Sequence, residues 1–233
     1  MTKKCVSCMS GGMDSFAISV LLNKRGFEIY PIFFDYNQRT KNKEEEVADY
    51  LCNKMGYAKP IKIKLSGDLE EMWKGLQLVD RDTKVRRELH PSVIVPLRDI
   101  IFLTVASSYA LRIGAEAVSY GAIADDDIYF PDCRPKAAKL FEELVKYAHP
   151  PAGISKIEVI SPSVEGLSKY ELVKIVYDIV GDLLFETWSC YGLEDKHCGE
   201  CASCLLRHEA FVRAGIKDKT EYLKPPEVSK QVE

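Results

Sequence analysis

The residues best suited to chemistry are residues 10–15, which read Ser-Gly-Gly-Met-Asp-Ser. The apolar residues 5–9 before them predict a buried strand, and the apolar residues 16–22 after them predict a helix. Two glycines permit a tight turn and a close approach of the backbone to a ligand. Because a helix start carries unpaired N–H groups and partial positive charge, this turn predicts a phosphate site. The alternative is an ordinary glycine-rich turn.

Two common phosphate-binding motifs are absent from this stretch. No Gly-Lys-Ser/Thr follows it, as in the Walker motif, and it lacks the G-x-G-x-x-G dinucleotide fingerprint. SGGMDS instead resembles the SGGxDS pyrophosphate loop of the N-type ATP pyrophosphatases. This resemblance implies an enzyme that splits ATP between the α and β phosphates and adenylates an oxygen of its substrate.

Four cysteines near the end of the chain follow the pattern C-x7-C-x2-C-x2-C: Cys190, Cys198, Cys201 and Cys204. Two successive C-x2-C steps let thiolates converge, and four sulfur ligands suit a closed structural zinc site. The alternatives are an iron–sulfur cluster, which uses the same ligands, and plain free thiols. His197 is a competing ligand, but four cysteines already fill the shell. The spacing therefore predicts structural Zn²⁺, whereas Cys5, Cys8 and Cys52 lie in apolar segments and predict core residues.

Composition and charge exclude several classes of protein. The chain has 233 residues and a net charge of −3, and it contains no block of basic residues. The sequence therefore shows no basic surface of the kind that binds nucleic acid. Residues 1–4 contain no apolar signal region, and the apolar residues 100–111 are too few to span a membrane. We therefore expect a cytoplasmic protein without direct nucleic-acid or membrane partners, in which cysteines bind metal or stay reduced.

Strand-like and helix-like segments alternate along the chain. Further strands are predicted at residues 28–35, 60–65, 116–121 and 156–161, and helices at 43–55, 99–114, 134–149 and 169–180, the last capped by Ser168 and Glu171. Residues 66–92 predict an irregular loop with a helical turn at 69–73. The alternation predicts an α/β fold, a parallel five-stranded sheet with helices on both faces, of Rossmann-like type. We expect an ATP pyrophosphatase domain at residues 1–187 and a zinc-binding region with a tail at 188–233.

Three further motifs sharpen the resemblance. FDYNQR occupies residues 34–39, VPLRD residues 95–99 and YFPDCRP residues 129–135. With SGGMDS and the four cysteines, their order is similar to that of the 7-cyano-7-deazaguanine (preQ0) synthase family over residues 5–215. The resemblance implies an ATP-dependent ligase that converts 7-carboxy-7-deazaguanine and ammonia to 7-cyano-7-deazaguanine for queuosine and archaeosine. It also implies Mg²⁺ with ATP and a homodimer.

The resemblance assigns roles to individual residues. We expect catalysis from Asp14, Ser15 and Arg98. We expect ATP binding by Met9, Ser10, Gly11, Gly12, Met13, Asp14, Ser15, Phe34, Asp35 and Arg39, and substrate binding by Tyr36, Arg39, Arg98, Asp132 and Arg134. Guanidinium groups match phosphate and carboxylate anions. A carboxylate such as that of Asp132 accepts both adjacent donors of a guanine-like ring.

Each of these residues also has a plainer interpretation. Asp35 and Asp132 cap a turn or the next helix, the three arginines face solvent or form surface ion pairs, and Tyr36 is a packed aromatic. Cys133 is either a nucleophile or, with no base expected nearby, a packing residue. Two positions depart from the family pattern, Asn37 in place of Gly and Asp99 in place of Asn. Asn tolerates a left-handed backbone, and the position of Asp99 predicts a helix cap.

Two other functions fit the same motifs. One is a related pyrophosphatase that adenylates another acid, an amide or a base within tRNA. The other is a zinc-stabilised nucleotide-binding module without catalysis, which would not need the additional motifs.

Overall fold

The computed structural model describes residues 2–65, 67, 71–149 and 157–227. Its strands are β1 (Lys3–Cys8), β2 (Phe27–Asp35), β3 (Ile61–Lys64), β4 (Ala117–Ser119) and β5 (Glu158–Ile160). Its α-helices are α1 (Met13–Lys24), α2 (Lys41–Met55), α3 (Arg98–Ile113), α4 (Pro135–Ala148), α5 (Lys169–Val180) and α6 (Ala202–Arg213). Short 3-10 helices lie at Pro91–Val93, Ala124–Ile128, Pro131–Cys133 and Gly181–Glu186.

The strands form one parallel sheet in the order β3-β2-β1-β4-β5. The chain moves outward from β1 through β2 to β3, then crosses to the other side of β1 and continues with β4 and β5. The strand order therefore reverses between β1 and β4, and ligands of such sheets bind at the carboxyl ends of the strands beside this point. The predicted five-stranded α/β fold is confirmed.

Helices cover both faces of the sheet, and the strands supply alternate side chains to each. Phe33 packs among residues of α1, α2, α5 and α6 on one face. Its neighbours Ile32 and Phe34 pack among residues of α3 and α4 on the other. Because successive strand side chains point to opposite faces, a strand buried on both sides is almost continuously apolar, as residues 29–34 are.

Most predicted elements are present with shifted ends. The Ser168–Glu171 capping box at the start of α5 is confirmed. Helix α3 begins at Arg98, with Leu97 as its N-cap, so the prediction that Asp99 caps this helix is wrong. Asp99 lies instead in the first turn, where the helix dipole favours a negative charge. Residues 69 and 70 of the predicted helical turn and Lys156 of the predicted fifth strand lie outside the described residues.

The apolar stretch around α3 is longer than the sequence suggested. Among the described residues, Pro91–Ile113 is long and apolar enough to cross a membrane by length and composition, with 33% of its best window buried. Core helices of soluble proteins pass the same test, and Leu103, Ala106 and Ala110 of α3 are fully buried in the cluster beneath the sheet.

The cysteine region packs directly against the sheet domain. Cys190, Cys201, Cys204 and Phe211 share one hydrophobic cluster with Phe16 of α1. The proposed boundary at residue 188 thus lies within a common core, and the division into two domains stays a prediction.

Candidate active site

The loop of residues 10–15 joins β1 to α1, and glycines are required at its closest contacts. Gly11 has φ of +76°, and a Cβ there would lie 2.6 Å from the carbonyl oxygen of Glu44 in α2. On the other side, a Cβ on Gly121, just after β4, would lie 2.7 Å from the backbone nitrogen of Ser15. The loop is therefore held between two backbones that only glycine allows to approach so closely.

Hydroxyl groups stabilise the turn from within. The Oγ atoms of Ser10 and Ser15 lie 3.0 Å apart, and Ser15 Oγ donates to the carbonyl of Gly12 at 3.0 Å. The amide of Gly12 donates to Ser10 Oγ at 3.3 Å. Gly12 is the N-cap of α1 in an extended conformation without a side-chain cap, so the amides of the first turn remain available to an anion.

Asp14 projects from this turn toward two charged groups. Lys169 Nζ, at the start of α5, lies 2.6 Å from Asp14 Oδ2, whereas Asp14 Oδ1 is buried without a hydrogen-bond partner among the described residues. Burial and the neighbouring Asp14 carboxylate raise the pKa of Asp126 to about 7. Two carboxyl groups and one ammonium group thus share a partly buried space. A cation or anion that binds there would shift the pKa values of these groups strongly.

A cavity of about 260 Å³ opens beside the loop. The predicted site residues that line it are Met9, Ser10, Gly12, Met13, Asp14, Ser15, Phe34, Tyr36 and Arg98. The structure therefore brings together the first motif, the start of the second and the arginine of the third. We call the part formed by residues 10–15 and Gly121 the loop end.

A second part of the lining, which we call the arginine end, contains Tyr36, Arg98, Asp99, Phe102 and Cys133. Arg98 Nε donates to Asp99 Oδ1 at 3.1 Å, and its Nη1 donates to the Tyr36 hydroxyl at 3.4 Å. Its guanidinium also lies 5.8 Å from the centres of the Tyr36 and Phe102 rings. An arginine with aromatic faces beside it suits a flat ligand that carries an anionic group.

Cys133 lies at this end with a carboxylate as its partner. Its Sγ donates to Asp99 Oδ2 at 3.3 Å. The expectation that no side chain nearby could accept the thiol proton is therefore wrong. Burial and the Asp99 charge raise the pKa of the Cys133 thiol. Since the thiolate is the nucleophilic form, this arrangement favours the packing interpretation over a nucleophile.

Two predicted ATP-binding residues have other partners. Asp35 pairs with Lys41 Nζ at 2.9 Å and accepts the Asn37 amide at 3.1 Å, which is a turn-capping role. Asn37 has φ of 61°, as its tolerance of the left-handed region predicted. Arg39 donates to the carbonyls of Gln77 and Thr83 at 3.2 and 2.9 Å. Neither Asp35 nor Arg39 is among the residues that line the cavity.

Two predicted substrate residues lie just outside the cavity lining. Asp132 Oδ2 accepts the backbone amide of Asp99 at 3.4 Å, so Asp132 assists the start of α3 rather than that of α4. Burial and the Asp99 charge raise the pKa of Asp132. Arg134 is exposed and is the N-cap of α4.

The four cysteines of the C-terminal region converge as predicted. Their sulfur atoms all lie within 4.8 Å of one another, and Cys198 Sγ is 3.9 Å from Cys204 Sγ. Tetrahedral Zn–S bonds of about 2.3 Å place sulfurs about 3.8 Å apart. Backbone amides donate to the sulfurs, among them those of Gly192 and Cys201 at 3.2 and 3.3 Å. The donor set fits a four-coordinate metal ion.

His197 does not belong to this ligand set. Its Nε2 accepts the Ser189 amide at 3.1 Å, and burial lowers its pKa to about 3, so it is neutral. The imidazole supports the backbone beside the cysteines.

Several cavity residues were missed by the motifs: Glu44, Phe102, Asp126, Lys169 and Tyr191. Two of them had a usable signal in the sequence. Lys169 directly follows the predicted N-cap Ser168, and Asp126 follows the end of the strand predicted at residues 116–121. Glu44, Phe102 and Tyr191 lie within a helix or the cysteine region and reach the cavity only through tertiary packing.

Comparisons with known proteins identify the family of this chain. The family model described as queuosine biosynthesis protein QueC matches residues 4–215. A 7-cyano-7-deazaguanine synthase from Campylobacter curvus is 35% identical over 226 residues, covering 94% of this chain and 98% of that protein. One from Campylobacter hominis is 37% identical, covering 94% and 100%. Among solved structures, NMN synthetase from Francisella tularensis has a TM-score of 0.47 at 14% identity, covering 93% of this chain and 79% of that one. The chain belongs to the QueC family of queuosine biosynthesis proteins.

Proposed function

We propose that this protein is a 7-cyano-7-deazaguanine synthase, an ATP-dependent ligase acting on 7-carboxy-7-deazaguanine and ammonia. The observation that carries the proposal is a single cavity with a phosphate-type loop at one end and Arg98 among aromatic rings at the other. The names of relatives that match almost their full length support it. A non-catalytic nucleotide-binding module would not require the second end.

ATP is proposed to bind at the loop end. Its β and γ phosphates would lie against the first amides of α1 and the hydroxyls of Ser10 and Ser15, as anions bind helix N-termini. Lys169, paired with Asp14 in the free protein, would turn its ammonium to the phosphates. Mg²⁺ would enter with ATP, and Asp14 Oδ1 is a buried carboxylate oxygen that fits it, with no partner among the described residues.

The deazaguanine acid is proposed to bind at the arginine end. Phe34 and Phe102 stack with ring centres 4.2 Å apart, and the Tyr36 ring lies beside them at a tilt, which gives an aromatic, apolar wall. Arg98 would bind the carboxylate of the substrate. Asp132, whose neighbour Cys133 lines the cavity, would accept the paired donors of the guanine-like edge. Arg39, Asp35 and Arg134 are proposed to contribute at the rim only.

The reaction consists of two activations. A substrate carboxylate oxygen attacks the α phosphorus of ATP, and pyrophosphate leaves into the loop end, stabilised by the helix start and Ser10. Ammonia attacks the acyl adenylate, loses a proton and displaces AMP, which gives the amide. The amide oxygen then attacks the α phosphorus of a second ATP and displaces a second pyrophosphate. Loss of two protons from nitrogen and departure of AMP from the adenylated carbon leave the nitrile. Arg98 holds the reacting group next to the α phosphorus in both steps.

The four cysteines are proposed to hold one structural Zn²⁺ per chain. Metal analysis of purified protein tests this assignment. An iron absorption band after anaerobic purification would show that the cysteines hold an iron–sulfur cluster instead of zinc. We further propose a cytoplasmic homodimer; the exposed Leu140, Leu144 and Tyr147, spaced along one side of α4, are apolar surface that a second copy would cover. Sedimentation analysis measures that state.

Incubation with ATP, Mg²⁺, ammonium and 7-carboxy-7-deazaguanine tests the function. We expect 7-cyano-7-deazaguanine, AMP and pyrophosphate, with the amide as a transient species. Omitting ammonium should leave the reaction at the adenylate. If ATP is split only with another acid or with tRNA, the protein is a different member of the pyrophosphatase group.

A further inference from the structure

A segment next to the cysteines contacts the phosphate loop. The backbone amide of Trp188 donates to the carbonyl oxygen of Gly11 at 2.9 Å. This hydrogen bond joins two parts of the chain that are far apart in sequence. It reaches the loop at a glycine whose left-handed φ and crowded surroundings already restrict it.

The hydrogen bond has a consequence for the neighbouring amide. In a trans peptide the C=O and the following N–H point in opposite directions. Since the Gly11 carbonyl points to Trp188, the Gly12 N–H of the same peptide points away from it, toward Ser10 Oγ at 3.3 Å. Trp188 therefore fixes the direction of the Gly12 amide, which lies at the N-cap of α1 in the part of the loop that lines the cavity.

Trp188 is in turn fixed by the cysteine region. Its indole Nε1 donates to the Cys190 carbonyl at 2.9 Å, and its ring centre lies 4.5 Å from that of His197. The fully buried Arg207 donates to Thr187 Oγ1 and Ser189 Oγ at 2.8 and 3.1 Å. The residues on both sides of Trp188 are thus anchored as well.

Cys190 completes the connection, because its Sγ is one of the four metal-type ligands and accepts the amides of Gly192 and Cys198. We propose that Trp188 is a positioning residue which couples the four-cysteine metal site to the phosphate loop, so that nucleotide affinity depends on metal occupancy. This inference rests on the proposed ATP site at the loop end. It predicts a role in ATP binding for a metal site that otherwise only stabilises the fold.

The test uses Trp188→Phe in the metal-loaded protein. Phe keeps an aromatic ring but cannot donate to the Cys190 carbonyl. We measure the affinity for a non-hydrolysable ATP analogue and for 7-carboxy-7-deazaguanine by calorimetry. Loss of one buried hydrogen bond should weaken analogue binding about three- to tenfold, with metal content and heterocycle affinity unchanged. His208→Gln, which alters the 2.7 Å contact to Asp218 in the same region, is the matched control and should bind the analogue like wild type.

A second measurement follows metal removal. The sequence contains two tryptophans, so Trp73→Phe leaves Trp188 as the single indole reporter. Stepwise chelation should change Trp188 fluorescence and analogue affinity in parallel, and added Zn²⁺ should restore both. If depletion unfolds the protein, Trp188→Phe with its metal bound decides the matter.

The outcomes separate this inference from the proposed function. A loaded wild-type protein that does not bind the analogue overturns both. Wild-type binding together with equal binding by metal-loaded Trp188→Phe overturns the coupling and leaves the proposed function intact. Equal loss of analogue and heterocycle affinity also overturns it, because that result indicates general loosening of the fold.

Discussion

The two ends of the cavity are built in different ways. The loop end consists mainly of backbone: a turn with left-handed Gly11, amides at the start of α1, and Gly121 packed against Ser15. The arginine end consists of side chains, with Tyr36 from directly after β2, Arg98 and Asp99 from the start of α3, and Cys133 from a 3-10 helix. Most of the backbone site comes from one short segment, with Gly121 added from a second, whereas the side-chain site requires three separate segments to meet.

The difference also concerns charge. At the loop end, Lys169 neutralises Asp14 directly at 2.6 Å. At the arginine end, Arg98 faces Asp99, and the Asp132 carboxyl lies close enough to Asp99 for their charges to interact. Since the phosphates are proposed to bind at the loop end and the heterocycle at the arginine end, we expect loop substitutions to act on ATP chemistry and Asp132 substitutions on heterocycle affinity.

Gly121→Ala should have the largest effect. The new Cβ would lie 2.7 Å from Ser15 N and 3.1 Å from Ser15 Cα, so backbone atoms must move. Overpacking of this kind costs about 1–3 kcal/mol of stability. A shift of the loop by even about 1 Å should lower kcat/KM at least about 100-fold, measured by release of pyrophosphate.

Gly26→Ala is the control for that variant. Gly26 has φ of +89°, and a Cβ added there would meet no atom within 4 Å, so Ala suffers backbone strain of about 1–2 kcal/mol without displacing the loop. It should lose comparable stability and keep its activity. Similar activity losses in both variants would mean that stability, not loop position, limits the rate.

Asp14→Asn should lower kcat about 30- to 1000-fold, because a preorganised charge contact contributes about 2–4 kcal/mol in the transition state. Ser10→Ala removes one hydroxyl of the turn and should act in the same direction. Asp49→Asn, which breaks the exposed pair with Lys62 at 2.9 Å, is the control and should change little. Near-wild-type turnover by Asp14→Asn and Ser10→Ala would remove the phosphate role from this loop.

Asp132→Asn tests the arginine end and should have a smaller effect. An amide oxygen can still accept the Asp99 amide, so the fold should persist. Replacing a buried carboxylate contact to the guanine-like edge by an amide should cost roughly 1.5–3 kcal/mol. Binding of the deazaguanine acid should weaken by about one to two powers of ten, with ATP affinity unchanged. A loss of ATP affinity alone, measured by calorimetry, would place Asp132 at the nucleotide instead.

The same contrast explains what the sequence could predict. The loop end was predictable because six consecutive residues between an apolar strand and an apolar helix encode its geometry locally. The four cysteines were predictable for the same reason, since their spacing determines how the thiolates meet. The parallel sheet followed from the alternation of elements, whose ends shifted, whereas helix α6 in the cysteine region was not predicted.

The arginine end was predictable only in part. Arg98 and Tyr36 were identified within motifs, but the partners of Arg39 and Asp35 depend on where residues 77–83 and Lys41 pack. The prediction that Asp99 caps helix α3 was wrong because this helix begins one residue earlier than expected. Phe102 and Glu44 were missed because their approach to the cavity depends on the packing of whole helices, which no local pattern records.

Asp126, between the two ends, gives the smallest predicted effect and a distinct pH dependence. Its folded pKa of about 7 exceeds the value of about 3.9 expected in the unfolded chain. Between these values the folded protein retains a proton that the unfolded chain has lost, so stability falls as pH rises from about 4 to about 7 and then levels off. Asp126→Asn cannot ionise, and its amide oxygen can still accept the Ile123 amide. Urea unfolding should therefore show the variant gaining at least about 1.4 kcal/mol on wild type between about pH 5 and pH 8, the worth of one pKa unit. A constant difference between the two proteins across that range would mean that Asp126 is ionised throughout, and that Lys169 stabilises both carboxylates rather than Asp14 alone.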